Sequence, residues 1–376
     1  MGSKRAMLRN GLGELLSEVV PNRSRFFDLF CGAGSVSGYV ASRFQVPVHA
    51  CDLQTYAVAL TASQIEQTTP FIAGDVGNAW MATTIKWLAS HSNWWKSARQ
   101  HAPADEGFSA WRIAVDQARQ FCAGLPTDFP IARAYGGYYY SPIQAMTIDA
   151  LRATLPMRHR TAALAALIDA ASTCAAAPGH TAQPFSTKDS ALPHLATAWA
   201  RDVQAYCLDA LARNASIAAR VAGQTSNVDA LELTLALEQR DIVFIDPPYS
   251  EVQYSRFYHV LESISRGFVG DVSGVGRYPA LSIRPQSKFC RLTQSAEAFD
   301  ELMLGVASSG AEAIVTFPAQ DASNGLSGEL VEAISDQYFK VKSKKITSLF
   351  STLGGNSVNR HARQAATELV LHLMPR

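Results

Sequence analysis

The chain has 376 residues, 48% of them hydrophobic and 17% charged. This is too long for one minimal core and too apolar for wholesale disorder, so a large domain with an insertion, or two domains, is expected. With 33 Lys and Arg against 32 Asp and Glu the net charge is +1, so a nucleic-acid surface has to come from a local patch.

Cys31, Cys51, Cys122, Cys174, Cys207 and Cys290 include no Cys-x-x-Cys pair, so neither a metal site nor a disulfide framework is indicated. No N-terminal apolar run resembles a signal peptide. The stretch "AALAALIDAASTCAAA" is short and interrupted by Asp169, so it reads as a core helix and not a membrane span. The expected compartment is the cytoplasm, with no membrane partner.

In chain order, "RFFDLFCGAGSVSGYVASRF" reads as strand, glycine loop and helix: residues 26–30 extended, Gly32 and Gly34 at a tight turn, residues 35–44 helical. Such a loop sets free amides and the positive end of a helix beside a ligand over the sheet. "VPVHACD" is a second strand ending in Asp52, where a carboxylate can accept from two ribose hydroxyls. "PFIAGD" reads as a third strand ending in Asp75. A nucleoside-type cofactor is therefore expected over the carboxyl ends of the strands, although a lone glycine loop is also compatible with an ordinary βα turn. The glycines at 32, 34 and 38 miss the Gly-x-Gly-x-x-Gly spacing of nicotinamide sites, and no Gly-Lys-Ser or Gly-Lys-Thr follows as in a P-loop.

Residues 77–240 change texture to Ala-rich helical patterning, with 14 Lys and Arg against 12 Asp and Glu, so this span is no basic arm. Tyr138, Tyr139 and Tyr140 are expected in core and wall, and the basic spot Arg158, His159 and Arg160 at a solvated helix end. Next comes "VFIDPPYSEVQYSRFYHVLE". Neither proline can donate to a ladder or continue a helix, so the strand over residues 242–245 has to stop at Asp246. The aromatic helix that follows brings Tyr254 and Tyr258 near the site as walls, with His259 and Glu262 as capping or packing residues. "GRYPALSIRPQSKFCRLTQS" then carries Arg277, Arg284, Lys288 and Arg291 with no acid, a composition suited to phosphates or to a solvated loop. "AEAIVTFP", "YFKVKSKKITSLF" and "ATELVLHLMP" read as three further strands, the last two joined by a Gly- and Asn-containing loop. The lysines of "KVKSKK" fall on the polar face of their strand.

"DLFCGAG" resembles the Asp-x-Phe-x-Gly-x-Gly loop of S-adenosylmethionine-dependent methyltransferases, and "DPPY" the catalytic loop of amino-methyltransferases. Asp in first place is the adenine N6 form; cytosine N4 enzymes open that loop with Ser and protein-glutamine enzymes with Asn. With the cofactor loop first and DPPY after a long insertion, the chain is similar to the Dam-like DNA adenine N6-methyltransferases over residues 1–76 and 241–376. This resemblance implies an α/β fold: a Rossmann-like seven-stranded methyltransferase sheet, its final strand antiparallel, with a mainly helical target-recognition region inserted at 77–240. It implies S-adenosyl-L-methionine as cofactor, held by Lys4, Asp28, Phe30, Cys31, Gly32, Gly34, Asp52, Asp75 and Asp246. The lysine comes from "GSKRAMLRNGLGELL", which looks like the family's opening segment, without the aromatic residue the family sets shortly before it. Asp246, Pro247, Pro248 and Tyr249 are the implied catalytic residues, with Tyr254, Tyr258, Arg277, Arg284 and Lys288 toward the substrate. DNA is the expected partner and RNA the less favoured one. Cleavage in a restriction or defence set would need a separate chain. A non-catalytic cofactor- and nucleic-acid-binding subunit is the reading from another class.

The chemistry of the loop stands without the family. The lone pair of an exocyclic amine is delocalised into its ring, and acceptors on its two hydrogens, the Asp246 carboxylate and the Pro247 carbonyl, free it. Prolines hold those acceptors rigidly, and Tyr249 offers a flat face to a base taken out of the stack.

Overall fold

The computed structural model describes residues 4–101, 107–350 and 364–376. The loop expected between the last two strands lies outside the described residues. The chain divides into two compact units, one of residues 1–69, 217–253 and 286–376, the other of residues 70–216 and 254–285.

The first unit is built on a seven-stranded sheet. Its strands are β1 (Phe26–Asp28), β2 (Val48–Cys51), β3 (Gln224–Ser226), β4 (Ile242–Ile245), β5 (Glu312–Pro318), β6 (Phe339–Phe350) and β7 (Gln364–Pro375). Their order across the sheet is β3-β2-β1-β4-β5-β7-β6. β1 to β5 run parallel, and β7 pairs antiparallel with both β5 and β6. This is the seven-stranded methyltransferase arrangement with its reversed final strand. The central strands are buried on both faces, as parallel strands under helices have to be. Phe27, Val243, Ile245, Val315 and Leu371 pack into one apolar cluster, and Phe26, Ile242, Phe244, Ile314 and Val370 into another. The period of two along β4 therefore divides its four residues between two cores. At one edge β6 exposes Lys340, Lys342, Lys344 and Lys345, charges that discourage edge-to-edge pairing with another chain.

The structure corrects the third strand. Residues 70–72 form no ladder, and Asp75 stands exposed in the first turn of the helix Ala73–Ser90, in the second unit. The sheet position expected for "PFIAGD" belongs to β3, which pairs with β2. The expected boundaries shift accordingly. Residues 217–240 belong with the sheet, and residues 254–285 return to the other unit.

That second unit is mainly helical. Its helices include Ala73–Ser90, Phe108–Ala123, Pro142–Ala153, Arg160–Cys174, Leu192–Trp199 and Val203–Ala215. Two of the starts are chemically marked: Ser141 and Gln144 form a capping box, and Asp202 caps the amides of Gln204 and Ala205. Tyr139 and Tyr140 are fully buried, as expected for core positions. The aromatic segment after DPPY forms two helices, Tyr254–Phe257 and His259–Arg266, parted at Tyr258. His259 is buried with each ring nitrogen facing a backbone carbonyl, of Arg256 and of Gly276, so it serves packing. No helix among the described residues is long and apolar enough to cross a membrane.

Candidate active site

The glycine loop leaves β1 at Asp28 and is fixed from two sides. The Gly32 amide donates to Asp52 Oδ2 at 3.1 Å, and the Gln54 amide to Asp52 Oδ1 at 2.9 Å. Gln64 Nε2 donates to the Ala33 carbonyl at 2.8 Å. Gly34 has φ +75°, and a Cβ there would lie 2.5 Å from Gln64 Nε2 and 3.0 Å from the Thr61 backbone, so only glycine fits. Asp52 thus braces the loop at the end of β2, and Asn227, just past β3, donates to its backbone carbonyl at 2.8 Å. Phe30 packs edge-on against Phe289 at 5.0 Å. Cys31 and Cys51 are buried, and burial pushes both thiols up, so they serve as apolar groups and not as nucleophiles.

Asp28 is the unusual acid. It is buried, its Oδ2 accepts from Ser37 Oγ at 2.5 Å, and its Oδ1 has no hydrogen-bond partner. Burial pushes its carboxyl up to about 7, with repulsion from Asp246 and Asp52 adding to the rise and the Ser37 hydroxyl opposing it.

Asp246 stands one residue beyond β4 with its side chain 22% exposed. Its Oδ1 accepts from Thr316 Oγ1 at 2.9 Å and lies 2.9 Å from Lys4 Nζ. Lys4 is buried and also donates to Glu368 Oε2 at 2.8 Å. Burial alone would lower the Lys4 ammonium; attraction to Asp246 and Glu368 outweighs it and raises the group, which therefore stays charged. The rest of the loop is held by Asn324, fully buried, whose Nδ2 donates to the Pro248 carbonyl at 2.8 Å and to the Phe289 carbonyl at 2.9 Å. Gln253 and Ser287 close the segment by exchanging two hydrogen bonds, at 2.9 and 2.8 Å. Tyr249 is half-buried against the sheet's apolar cluster.

The structure thus brings Lys4, Asp28, Gly32, Gly34, Asp52 and Asp246 together around the carboxyl ends of β1, β2 and β4. It leaves Asp75 out. Tyr254 and Tyr258 lie in the second unit, Tyr254 half-buried and Tyr258 only 5% exposed, its ring 6.5 Å from that of Phe257. Arg277 is also spent inside it: Nε donates to the Ala134 carbonyl at 2.9 Å and the guanidinium lies 4.7 Å over the Tyr138 ring. Arg284 is half-buried, its guanidinium over Tyr278. Lys288 and Arg291 are exposed in the first unit, Lys288 with a loose partner in Glu301 at 3.5 Å. The expected basic loop is therefore divided between the two units. Thr316, Asn324 and Glu368 escaped the sequence reading. Thr316 and Glu368 left a trace as polar residues inside strands of apolar composition; Asn324 left none.

The comparisons bear on this geometry. Residues 145–316, which include Asp246, Pro247, Pro248 and Tyr249, match the model of the D12 class N6 adenine-specific DNA methyltransferases. Over this stretch, a little under half of the chain, the protein is similar to the D12 class. No curated protein matches this methyltransferase by sequence. Among solved structures it is similar to the precorrin 8W decarboxylase of Methanobacterium thermoautotrophicum, at 10% identity and a TM-score of 0.31, covering 96% of this chain and 87% of that one. That likeness is loose, and the fold of the methyltransferase stands on its own strand order. The DPPY loop of this adenine-N6 DNA methyltransferase follows directly on β4, at the carboxyl edge of the sheet.

The donor set fits S-adenosylmethionine. Three carboxylates, Asp28, Asp52 and Asp246, end neighbouring strands, and the one described cation beside Asp246, Lys4, is already paired with it and with Glu368. Such a site repels a phosphate and favours a phosphate-free cation, and the unpartnered Asp28 Oδ1 is an acceptor awaiting a donor. The sign of the pH dependence follows. Asp28 is neutral below its raised value, so attraction to a cationic cofactor is present above about 7 and lost as pH falls through it. Calorimetric titration should show affinity rising between about pH 6 and about pH 8 in the wild type, with the rise flattened in Asp28→Asn. Equal slopes in the two proteins would remove Asp28 from the site.

Proposed function

We propose that this methyltransferase uses S-adenosyl-L-methionine and methylates an adenine taken out of the DNA helix, with Asp246 and the Pro247 carbonyl as acceptors for the two amine hydrogens. The observation that carries the reading is the asymmetry of Asp246. Its Oδ1 is taken by Thr316 and Lys4, while its Oδ2 has no donor among the described residues. One oxygen anchors the carboxylate and the other is left for the substrate.

The cofactor supplies an electrophilic methyl group on a sulfonium. Asp52 orients its ribose, the glycine loop accommodates its methionine end by backbone approach, and Asp28 offers a buried carboxylate to its positive charge. Asp246 and Pro247 draw the adenine N6 toward tetrahedral geometry, so that its lone pair is available in line with the methyl. A bound cofactor would supply its methyl to that lone pair, and the surplus amine proton would leave by Asp246 to solvent. Tyr249 stacks on the extruded base. The helical unit reads the DNA, Arg284 and Lys288 meet phosphates, and the enzyme works in the cytoplasm.

The test is transfer of label from tritiated S-adenosylmethionine to mixed DNA and RNA, followed by digestion to nucleosides. Label in N6-methyladenine from the DNA supports the reading. Label confined to RNA would replace the partner and keep the chemistry. Bound cofactor with label in neither would favour a non-catalytic subunit.

A further inference from the structure

We infer that Glu368, on the last strand of the sheet, is a positioning residue for methyl transfer that acts on Asp246 through Lys4. The inference rests on the reading of Asp246 as the amine acceptor. Three residues far apart in sequence meet here, on the opening segment, beyond β4 and on β7. Lys4 Nζ sits between Glu368 Oε2 at 2.8 Å and Asp246 Oδ1 at 2.9 Å. Lys4 and Glu368 are both buried. An acid in a buried strand is costly without a partner, and among the described residues its side-chain partner is Lys4, which also pairs with Asp246.

The charge arrangement explains what Glu368 does. A lone Lys4 beside Asp246 would hold the carboxylate in place but would also draw charge away from it, weakening it as an acceptor. With Glu368 on its other side, the ammonium is shared, and the group of three keeps one net negative charge. Positive charge develops on the adenine nitrogen as the methyl arrives, so that net charge favours the transition state over the ground state. Burial and the neighbouring Asp246 raise the Glu368 carboxyl, and Lys4 opposes that rise. Thr316 supplies the remaining anchor on Oδ1.

Single-turnover methylation, at saturating cofactor and DNA and across pH, distinguishes this role from a structural one. Glu368→Gln is isosteric and keeps a partner for Lys4. It is expected to slow transfer by about tenfold or more, with cofactor and DNA affinities within about twofold of wild type. Its acidic limb should move to lower pH, because a negative charge facing Asp246 is lost while Lys4 and Asp28, which also face it, stay. Lys4→Gln should move the limb the other way, with activity partly recovered at high pH, and Lys4→Arg should restore the wild-type limb. Opposite displacement of the two limbs supports the inference. Glu368→Gln with wild-type rate and limb, or both variants slowed with an unmoved limb, overturns it and leaves the proposed chemistry standing. A wild type that methylates no DNA overturns both.

Discussion

Asp246→Ala is expected to lower single-turnover methyl transfer by about three orders of magnitude or more while leaving DNA binding intact. On the proposed chemistry the substitution removes an acceptor that frees the adenine lone pair and that matters only as the transition state is approached. It also removes a partner of the buried Lys4 and the acceptor of Thr316. Glu368 remains for the lysine, so a folded protein is expected. Asp246→Asn sharpens the test, since it keeps the shape and the Thr316 contact but loses the charge. A quenched-flow comparison of the three proteins on one duplex measures the effect. Activity within about tenfold of wild type in Asp246→Ala would remove Asp246 from the chemistry.

The second large effect is expected at Asn324. Its amide donates to two backbone carbonyls, those of Pro248 and Phe289, and its Oδ1 accepts from the Leu326 amide at 3.2 Å, all with the side chain fully buried. Asn324→Ala leaves these groups without their partner, at about 1–3 kcal/mol for each one that stays buried and unsatisfied. It also frees the catalytic loop at its second proline. A stability loss of about 3 kcal/mol by urea denaturation and a fall in transfer rate of about a hundredfold are expected together. Asn324→Asp keeps an acceptor for Leu326 but sets a carboxylate against two carbonyls, so it should be no better. A variant as stable and as fast as wild type would show that the loop holds its shape through the prolines and the Gln253–Ser287 pair alone.

How much of this was legible in the residues differs from element to element. The end of β4 was legible because two prolines forbid both ladder and helix, and the glycine loop because a residue like Gly34, at φ +75°, admits no side chain. The reversed last strand came with the family resemblance, since propensity does not fix strand order. The third strand was misplaced for a physical reason. Residues 70–72 are apolar but find no ladder partner, whereas β3, the tripeptide Gln224–Thr225–Ser226, is polar, short and partly exposed at a sheet edge. Periodicity cannot detect a strand whose membership is decided by its neighbour. The division of the chain failed in the same way: the return of residues 254–285 to the helical unit depends on contacts with residues far away in sequence, such as Thr181 bonding the Phe257 carbonyl at 2.7 Å. Arg277 illustrates the limit of charge counting. Its composition suggested a phosphate contact, but its position beside Tyr138 and the Ala134 carbonyl makes it a structural residue.

The partners of Asp246 follow one pattern. Thr316, Lys4 and, through it, Glu368 come from a sheet strand, the opening segment and the last strand, and none of the three lies within sixty residues of it in sequence. Sequence reasoning could find where the DPPY loop begins, because its constraint is local. The groups that hold it ready are set by the fold.

The central claim is that this chain methylates adenine N6 in DNA and that Asp246 is required. It is tested most directly by expressing the wild type and Asp246→Ala in a host free of adenine methylation and quantifying nucleosides from purified chromosomal DNA by mass spectrometry. The account predicts N6-methyladenine with the wild type and none above background with the variant. N6-methyladenine at equal levels with both proteins, or none with a wild type shown to be folded and to bind S-adenosylmethionine, would contradict it.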